Sequence, residues 1–243
     1  MQPIIPDWPA PANVRALVTT RTGGVSLPPW DSLNAGDHVN DDPRHVAENR
    51  RRIAEAAGVP ADRIYWLKQV HGVDVVRLPA PVGSEGDASL AIEPGQVCAM
   101  MTADCLPVLF CTLDGCRVAA AHAGWRGLCD GVLEQTVAAL AAPGDEVLVW
   151  LGPAIGPQAF EVGAEVRQAF VGVSLEAAEA FVPAARPGHY WCDLYLLARQ
   201  RLAAVGVHNV YGGGLCTWTD SQRFYSFRRD GATGRMASLI WRT

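Results

Sequence analysis

The sequence predicts an α+β fold, a mixed α/β sandwich in which helices and strands alternate irregularly. Its 243 residues are 49% hydrophobic and 19% charged, which is the composition of an ordinary globular protein with a sizeable core. Apolar runs of strand length and amphipathic runs of helix length both occur, without a clean βαβ alternation. Glycine and proline punctuate the whole chain, and no linker or repeat interrupts it, so we expect one domain over residues 1–243.

The strand predictions start at residues 14–20, where VRALVTT leads into a glycine turn. Later apolar runs have the length of buried strands and are bounded by turn residues. Strands are predicted at 97–102, 106–112, 117–121, 146–151, 207–211 and 236–241. Because these runs are short and their pairing order is not encoded locally, the sequence leaves the sheet topology open.

The clearest helix prediction covers 42–57. Asp42 suits the N-cap, Pro43 suits the first helical position, and Gly58 suits the C-terminal end. A second helix fits 127–142. A third fits 193–205, where an aspartate begins the helix and a glycine follows it.

Charge and composition exclude several classes of partner. The formal net charge of −5 disfavours nucleic acid and anionic membrane surfaces, which both require a basic face. No apolar run approaches the roughly 20 residues that span a bilayer. The first residues show neither the basic nor the long apolar segment of a secretory signal. Seven irregularly spaced cysteines suit reduced thiols better than a disulfide framework. We therefore expect a cytoplasmic protein that binds neither nucleic acid nor membrane.

A tight turn predicts which residues meet at the end of one hairpin. An Asp-Gly dipeptide at 114–115 lies between two apolar runs, which favours a two-residue hairpin turn. Paired positions then sum to 229, so His122 lies opposite Pro107 and two residues along from Cys105. The two side chains would share a face as diagonal neighbours, roughly 7–8 Å apart at the backbone. A one-residue slip would separate them.

Three residues form a candidate metal site: His71, Cys105 and His122. Each lies at the end of an apolar run beside glycine, proline or a charge, where active-site loops occur. Three protein ligands with an open fourth position are typical of catalytic zinc. The alternative is a buried thiol with two hydrogen-bonded core histidines. Asp104 could orient a ligand or relay a proton, or it could accept bonds from loop N–H groups.

Basic residues offer candidate anion contacts. Arg126, four residues after His122, could grip phosphate or a ribose hydroxyl. The turn at 21–26 could present N–H groups and the Arg21 guanidinium to an anion, or it could be a plain turn. It matches neither the dinucleotide fingerprint nor the P-loop. Arg228 and its neighbour could equally be surface charges.

Several motifs together resemble the laccase-domain family, also called the multicopper polyphenol oxidase or YfiH-like family. The resemblance runs from about residue 15 to the C-terminus. The motifs are TTRTGGVS, SLNAGDHVNDDP, WLKQVHG, MTADCLPVLF, AAAHAGWRGL, LGPAIGPQAFEVG and FYSFRRDGATGRMA. Two departures are Asn40, where glycine is common, and Gln158-Ala159, where many members have two cysteines. Neither touches the candidate ligands.

The resemblance implies a sandwich of complex topology and a zinc site formed by His71, Cys105 and His122, which would also be the catalytic residues. It implies phosphorolysis of adenosine, inosine and methylthioadenosine, with adenosine deamination as a further activity. The partners would then be a purine nucleoside and phosphate, and a homodimer is a compatible assembly. Carried over by motif, Arg21, Asn34 and Arg126 are expected to bind substrate.

The oxidase name does not suit the composition. A laccase mechanism needs several coppers held by many histidines, largely in His-x-His pairs, whereas this chain has six histidines and no such pair. Copper could still enter a His/Cys site, because it ranks high in the affinity order. Two other interpretations stay open. Cys105 could be the nucleophile of an amidase acting on a cell-wall precursor or a peptide-like amide, with His122 as its base. Zinc could also serve only to brace the fold.

Overall fold

The computed structural model describes residues 2–243 and confirms the α+β class. The strands within those residues are β1 (Val14–Val18), β2 (Ile64–Trp66), β3 (Val75–Arg77), β4 (Ala88–Ala91), β5 (Val97–Thr102), β6 (Leu106–Thr112), β7 (Val118–Ala123), β8 (Val147–Leu151), β9 (Glu161–Gly163), β10 (Phe181–Pro183), β11 (His189–Cys192), β12 (Asn209–Gly212) and β13 (Met236–Arg242). The α-helices within them are α1 (Pro43–Ala57), α2 (Trp125–Asp130), α3 (Val132–Leu140), α4 (Ala164–Val173), α5 (Leu194–Ala204) and α6 (Phe227–Asp230). None of the helices described is long and apolar enough to cross a membrane.

Two mixed sheets form the centre of the fold. One has the strand order β1-β13-β5-β2, and the other has the order β12-β8-β6-β7-β4-β3. A small antiparallel sheet, β10-β11-β9, lies beside them. The first strand pairs with the last, with Val14 opposite Arg242. The order of the strands along each sheet differs from their order along the chain, which is why local patterns do not reveal it.

The two large sheets pack face to face. Along β6, Leu106, Val108 and Phe110 point toward the helices, whereas Leu109 and Cys111 point toward the four-stranded sheet. This alternation has the period of two that a strand imposes. Helices α2, α3 and α5 cover the outer face of the six-stranded sheet, and α1 covers the outer face of the four-stranded one. Helices therefore cover both outer faces of the sandwich.

The helix predictions differ in outcome. Asp42 caps α1 by accepting a hydrogen bond from the Arg44 N–H, and Gly58 ends the helix with φ 67°. The helix predicted at 193–205 is α5, which Asp193 caps. A single helix over 127–142 is wrong, because the chain forms α2 and α3 on either side of Gly131. The φ of 104° at Gly131 is left-handed, so this glycine ends α2 and precedes the first residue of α3.

The predicted hairpin register is confirmed. β6 and β7 are antiparallel, with Leu106 opposite Ala123 and Pro107 opposite His122, so paired numbers sum to 229. Strand β7 extends two residues beyond the predicted end at 121 and includes His122. The other predicted strands agree with β1, β5, β8, β12 and β13 to within two residues at either end. Strands of three or four residues, such as β2 and β9, escaped sequence analysis because too few positions carry their period.

Candidate metal centre

The hairpin places two of the three candidate ligands at one end of the six-stranded sheet. Cys105 directly precedes β6, and His122 is the next-to-last residue of β7. The confirmed register puts both side chains on the same face of the sheet. His122 is buried, with 3% of its surface exposed, and Cys105 is half-buried.

His71 reaches the same point from the loop between β2 and β3. It adopts a left-handed backbone with φ 62°, and its ring meets that of His122 edge-on with centroids 4.7 Å apart. The ligand atoms of His71, Cys105 and His122 all lie within 4.8 Å of one another. His71 is exposed, so this cluster is open to solvent on the side of His71.

Gly124 leaves the space in which the three donors converge. A Cβ at this position would lie 2.9 Å from His71 Cδ2 and 3.2 Å from Cys105 Sγ. Any side chain here would push the two ligands aside. The HAG segment of the HAGWRG motif thus supplies the candidate ligand His122 and, at Gly124, the space that the side chains of His71 and Cys105 occupy.

Asp87 is a positioning residue that sequence analysis missed. Its fully buried carboxylate accepts a hydrogen bond from His122 Nδ1 at 2.8 Å. It also accepts the backbone N–H groups of Val70, His71 and Gly72 at 3.1, 2.9 and 2.7 Å. One carboxylate therefore orients the His122 ring and holds the loop that carries His71. A carboxylate behind a ligating histidine is the usual arrangement in metal sites.

No local pattern marks Asp87. It precedes the short strand β4, and it meets His122 only because β4 pairs with β7 in a register that sets Ala88 opposite Ala121. That pairing joins residues 27 to 33 positions apart along the chain. Asp87 can therefore be identified as a positioning residue only from the tertiary structure.

The electrostatics of the cluster favour a thiolate. Burial raises the pKa of the Cys105 thiol, but the neighbouring His122 and His71 outweigh it and lower that pKa to about 6. Burial also opposes the charging of His122, but the Cys105 thiolate and Asp87 outweigh it and raise the His122 pKa to about 9. Burial raises the pKa of Asp87, but the hydrogen bonds from His122 and the loop lower it below its usual value. A thiolate is the form of cysteine that binds metal.

The donor set fits a single transition-metal ion. Two imidazoles and a thiolate suit zinc and also copper. Zinc bonds are about 2.0–2.3 Å long, so donors within 4.8 Å of one another can share an ion after small side-chain rotations. Three donors with an open side match the arrangement in which a fourth position is left for a substrate or water.

A cavity of about 190 Å³, called here the metal cavity, opens beside His71 and Cys105. Its walls are largely apolar and aromatic, with two arginines among them. The remaining lining residues are Ala103, Asp104, Trp125, Arg126, Ile155, Phe160, Leu194, Phe227 and Arg228. The Arg126 guanidinium lies over the Trp125 ring at 4.4 Å from its centroid. A larger cleft of about 710 Å³ lies at the edge strand β2, and none of the three ligands lines it.

Asp104 holds the wall of the metal cavity together. Its carboxylate accepts bonds from Thr217 Oγ1 and from the Arg228 N–H, both at 2.6 Å. Its backbone carbonyl accepts the Ile155 N–H at 2.9 Å. These contacts join the turn before β6 to α6, to the segment after β8 and to the segment after β12. The Asp104 carboxylate thus accepts one hydroxyl and one backbone N–H group at the start of α6, and a role in orienting a ligand or relaying a proton stays a prediction.

The structure places Arg21 outside the metal cavity. Its guanidinium stacks over the Tyr225 ring at 4.9 Å and lies 3.4 Å from the Asp31 carboxylate. It lines a separate polar depression. The N–H groups of Gly23 and Gly24 both donate to Ser32 Oγ, so the glycine turn binds its own chain.

Asn34 also lies away from the metal cavity and is fully buried. Its amide donates to the Gly36 carbonyl and to the Asp41 carboxylate. Its side-chain oxygen accepts the N–H groups of Gly36 and Arg235. Of the three residues expected to bind substrate, only Arg126 lines the cavity beside the ligands.

Comparison with known proteins gives consistent matches over nearly the whole chain. Residues 15–243 match the family described as multi-copper polyphenol oxidoreductase laccase. A relative from Pseudomonas aeruginosa, named purine nucleoside phosphorylase, is 62% identical, with 98% of this chain and 97% of that protein covered. The Escherichia coli relative, named purine nucleoside phosphorylase YfiH, is 57% identical, with 98% of each covered.

Solved structures share the fold. A Neisseria meningitidis protein superposes with a TM-score of 0.94 at 49% identity, with 100% of this chain and 99% of that one covered. YlmD from Geobacillus stearothermophilus superposes with a TM-score of 0.86 at 34% identity, with 95% and 92% covered. The similarity therefore extends from the motifs to the entire architecture.

Proposed function

This chain belongs to the family described as multi-copper polyphenol oxidoreductase laccase, and on that basis we propose that it is a zinc-dependent purine nucleoside phosphorylase. It converts adenosine, inosine and methylthioadenosine to the free base and the 1-phosphate of the sugar, and it also deaminates adenosine. The names of its close relatives support the phosphorylase activity. The observation that carries the proposal is the His71, Cys105 and His122 cluster, which opens into an aromatic cavity beside Arg126.

The walls of the metal cavity suit a nucleoside. Trp125 and Phe160 offer aromatic surface on which a purine can stack, since aromatic pairs favour such contacts. Ile155 and Leu194 add apolar surface. A cavity of this type, apolar with a few convergent polar groups, is typical of small-molecule sites.

The residues of the chain divide the work of phosphorolysis. A phosphate oxygen bonds to C1′ of the sugar while the C1′–N9 bond breaks and its electron pair leaves with the purine, which then takes up a proton. Arg126 holds phosphate through paired N–H donors. Asp87 holds the His122 ring and the loop that carries His71, so the donors stay in place. Zinc, when bound to His71, Cys105 and His122, supplies a Lewis acid.

Several features argue against multi-copper oxidase chemistry. Among residues 2–243, His71, Cys105 and His122 are the one group of three or more candidate ligands that lies close enough to hold an ion. The other four of the six histidines lie elsewhere. A copper ion in this site would be a single centre and would not form the cluster that a laccase needs.

A cysteine amidase is the second candidate. The low pKa of Cys105, which its histidine neighbours lower to about 6, is what a nucleophilic thiol requires. The two proposals differ in the state of the thiol. A coordinated thiolate resists alkylation until a chelator removes the metal, whereas a free Cys105–His122 dyad reacts at once.

The first experiment combines metal analysis with a turnover assay. Purified protein is analysed for zinc and copper, and adenosine and inosine are then incubated with and without phosphate. Free base, ribose 1-phosphate and ammonia are quantified. We expect about one zinc per chain and phosphate-dependent base release, since three ligands define one site. Cys105→Ala should remove both the zinc and the activity.

Cys116→Ala is the matched control, because Cys116 is an exposed cysteine near the turn of the same hairpin. It should retain zinc and turnover. Zinc without nucleoside turnover would refute the phosphorylase proposal and favour the amidase. Full activity in Cys105→Ala would refute the role of the metal centre.

We also propose that residues 1–243 act as one domain in the cytoplasm, with neither nucleic acid nor membrane as partner. The pairing of β1 with β13 supports the single domain, and the net charge of −5 supports the partner prediction. A homodimer is compatible with this proposal. Sedimentation of the purified protein measures the assembly state.

A further inference from the structure

A second cavity, called here the guanidinium cavity, adjoins the metal cavity. It measures about 450 Å³ and lies between α2, α4 and α6. Arg126 and Arg228 line both cavities, as do Trp125 and Phe160. Arg186 lines only the guanidinium cavity. Three arginines therefore line one space that borders the metal centre.

In the part of the chain that the structure describes, eight of the nineteen arginines form an ion pair with a carboxylate, and the three arginines that line the guanidinium cavity are not among them. The arginines in ion pairs with a carboxylate are Arg21, Arg44, Arg50, Arg51, Arg52, Arg201, Arg223 and Arg229. Within residues 2–243, no carboxylate oxygen lies within 4.0 Å of the guanidinium nitrogens of Arg126, Arg186 or Arg228. Arg228 donates one N–H to the Glu161 carbonyl at 2.7 Å and lies over the Phe160 ring at 5.1 Å.

Two carboxylates also line the guanidinium cavity, but they do not neutralise it. Glu165 folds back toward the start of α4, where a Cβ on Gly163 would lie 2.1 Å from its Oε2. Glu161 accepts from Arg228 through its backbone carbonyl, and its carboxylate forms no ion pair with these arginines. Three cations against two anions leave a positive excess. Like charges that converge without partners repel, and a bound anion relieves that repulsion.

We propose that the guanidinium cavity binds the inorganic phosphate that serves as co-substrate. A tetrahedral dianion accepts paired N–H donors from several planar guanidinium groups, which is the recognition that arginine performs best. Arg126 and Arg228 border both cavities, so phosphate bound here adjoins the sugar of a nucleoside in the metal cavity. Its role in turnover rests on the proposed function, whereas the binding of phosphate does not.

Replacing Arg186 tests the guanidinium cavity without changing the lining of the metal cavity. Arg186→Gln removes a charge that lines the guanidinium cavity and not the metal cavity. A charged hydrogen bond contributes about 1.5–3 kcal/mol, so we expect the KM for phosphate to rise roughly tenfold to a hundredfold. The KM for inosine should stay within about twofold, because no nucleoside contact is lost. Arg228→Gln should act in the same direction.

Arg167→Gln is the matched control. Arg167 lies on α4, a helix beside the guanidinium cavity, but its guanidinium lies over the Tyr190 ring at 5.2 Å and the residue does not line the cavity. The KM for phosphate of the Arg167→Gln variant should equal that of the wild type. Thermal denaturation of all three variants shows whether the fold is retained. Equal KM values for phosphate in Arg186→Gln, Arg228→Gln and Arg167→Gln would overturn the proposal.

A binding measurement decides the case without turnover. Inorganic phosphate is titrated calorimetrically into the zinc-loaded protein, with adenosine 5′-phosphate in a second arm. We expect phosphate to bind the wild type and to bind Arg186→Gln at least about tenfold more weakly. If Arg186→Gln weakens only the nucleotide, the site takes a phosphate carried by the substrate, and the co-substrate assignment is wrong.

The two proposals fail in different ways. If the protein binds phosphate, Arg186→Gln weakens that binding and no phosphorolysis is detected, the phosphate site in the guanidinium cavity is supported and the phosphorylase activity is refuted. If phosphorolysis occurs and the KM for phosphate is the same in Arg186→Gln and in the wild type, the phosphate site in the guanidinium cavity is refuted and the phosphorylase activity is supported. If the wild-type protein does not bind phosphate, the proposal that the guanidinium cavity binds phosphate is wrong.

Discussion

Replacing Asp87 with asparagine tests how the metal centre is held. Asp87 Oδ1 accepts from His122 Nδ1 and the His71 N–H, and Oδ2 accepts from the Val70 and Gly72 N–H groups. Asparagine has nearly the same shape but only one acceptor oxygen, and its NH₂ group donates. At least one backbone N–H group must therefore face the amide NH₂ group, whichever way the amide is turned.

The two orientations have different costs. If the amide oxygen takes the place of Oδ1, the Val70 and Gly72 N–H groups lose their acceptor. If it takes the place of Oδ2, His122 Nδ1 must accept, and the His122 proton moves to Nε2, the nitrogen that faces the other ligands. Each unsatisfied buried donor costs about 1–3 kcal/mol. Two of them cost about 2–6 kcal/mol, a large share of the typical 5–15 kcal/mol of folding stability.

The assay follows zinc affinity and stability together. We expect Asp87→Asn to bind zinc about 10–100-fold more weakly than the wild type, because replacing a residue that orients a metal ligand typically weakens metal binding by that factor. Competition with a chromophoric chelator measures the zinc affinity. Its thermal midpoint should fall as well. Asp74→Asn is the control, because Asp74 is exposed and contacts Asp87 only through its backbone carbonyl. Wild-type zinc affinity and melting in Asp87→Asn would refute this account of the site.

Three other predictions test the site and the fold. Gly124→Ala places a Cβ 2.9 Å from His71 Cδ2 and 3.2 Å from Cys105 Sγ, so its zinc content, measured by mass spectrometry of the metal, should fall. In metal-free protein the alkylation rate of Cys105 should be half-maximal near pH 6, because its pKa is lowered and the thiolate is present above that pH and lost below it. Cys98, whose pKa burial raises to about 12, should stay unlabelled in the same peptide map, and labelling of both at equal rates would contradict the electrostatics. Asp42→Ala removes the cap of α1 and should cost about 0.5–2 kcal/mol in urea denaturation, with zinc content unchanged.

The parts of the fold that sequence analysis predicted correctly depend on short-range chemistry. The cap of α1 requires only Asp42 and the backbone two residues later. The hairpin register follows from one turn, since the Asp-Gly dipeptide at 114–115 aligns every pair along β6 and β7. The same logic placed His122 near Cys105. Both features are encoded within about twenty residues, so they can be read without knowing the remainder of the chain.

The error in the helix prediction has an identifiable cause. The helix predicted at 127–142 keeps its apolar period across Gly131, but the packing of α2 and α3 uses a left-handed residue there. Arg21 and Asn34 lie in the motifs of the family resemblance, and their role in substrate binding stays a prediction. Arg21 contacts Asp31 and Tyr225, and Asn34 is buried. A motif shows which residues matter together, but it does not show which of them face the cavity.

The sequence by itself determined the fold class, the caps of α1 and α5, the register of one hairpin and the identity of the three candidate ligands. Each of these depends on residue chemistry, on period or on a turn a few residues long. Only the tertiary structure decided that Asp87 supports His122 and that Arg186 joins Arg126 around one cavity. Strand pairing and helix packing bring these residues together from distant parts of the chain. A site whose parts meet through such long-range contacts leaves no spacing in the sequence from which it could be inferred.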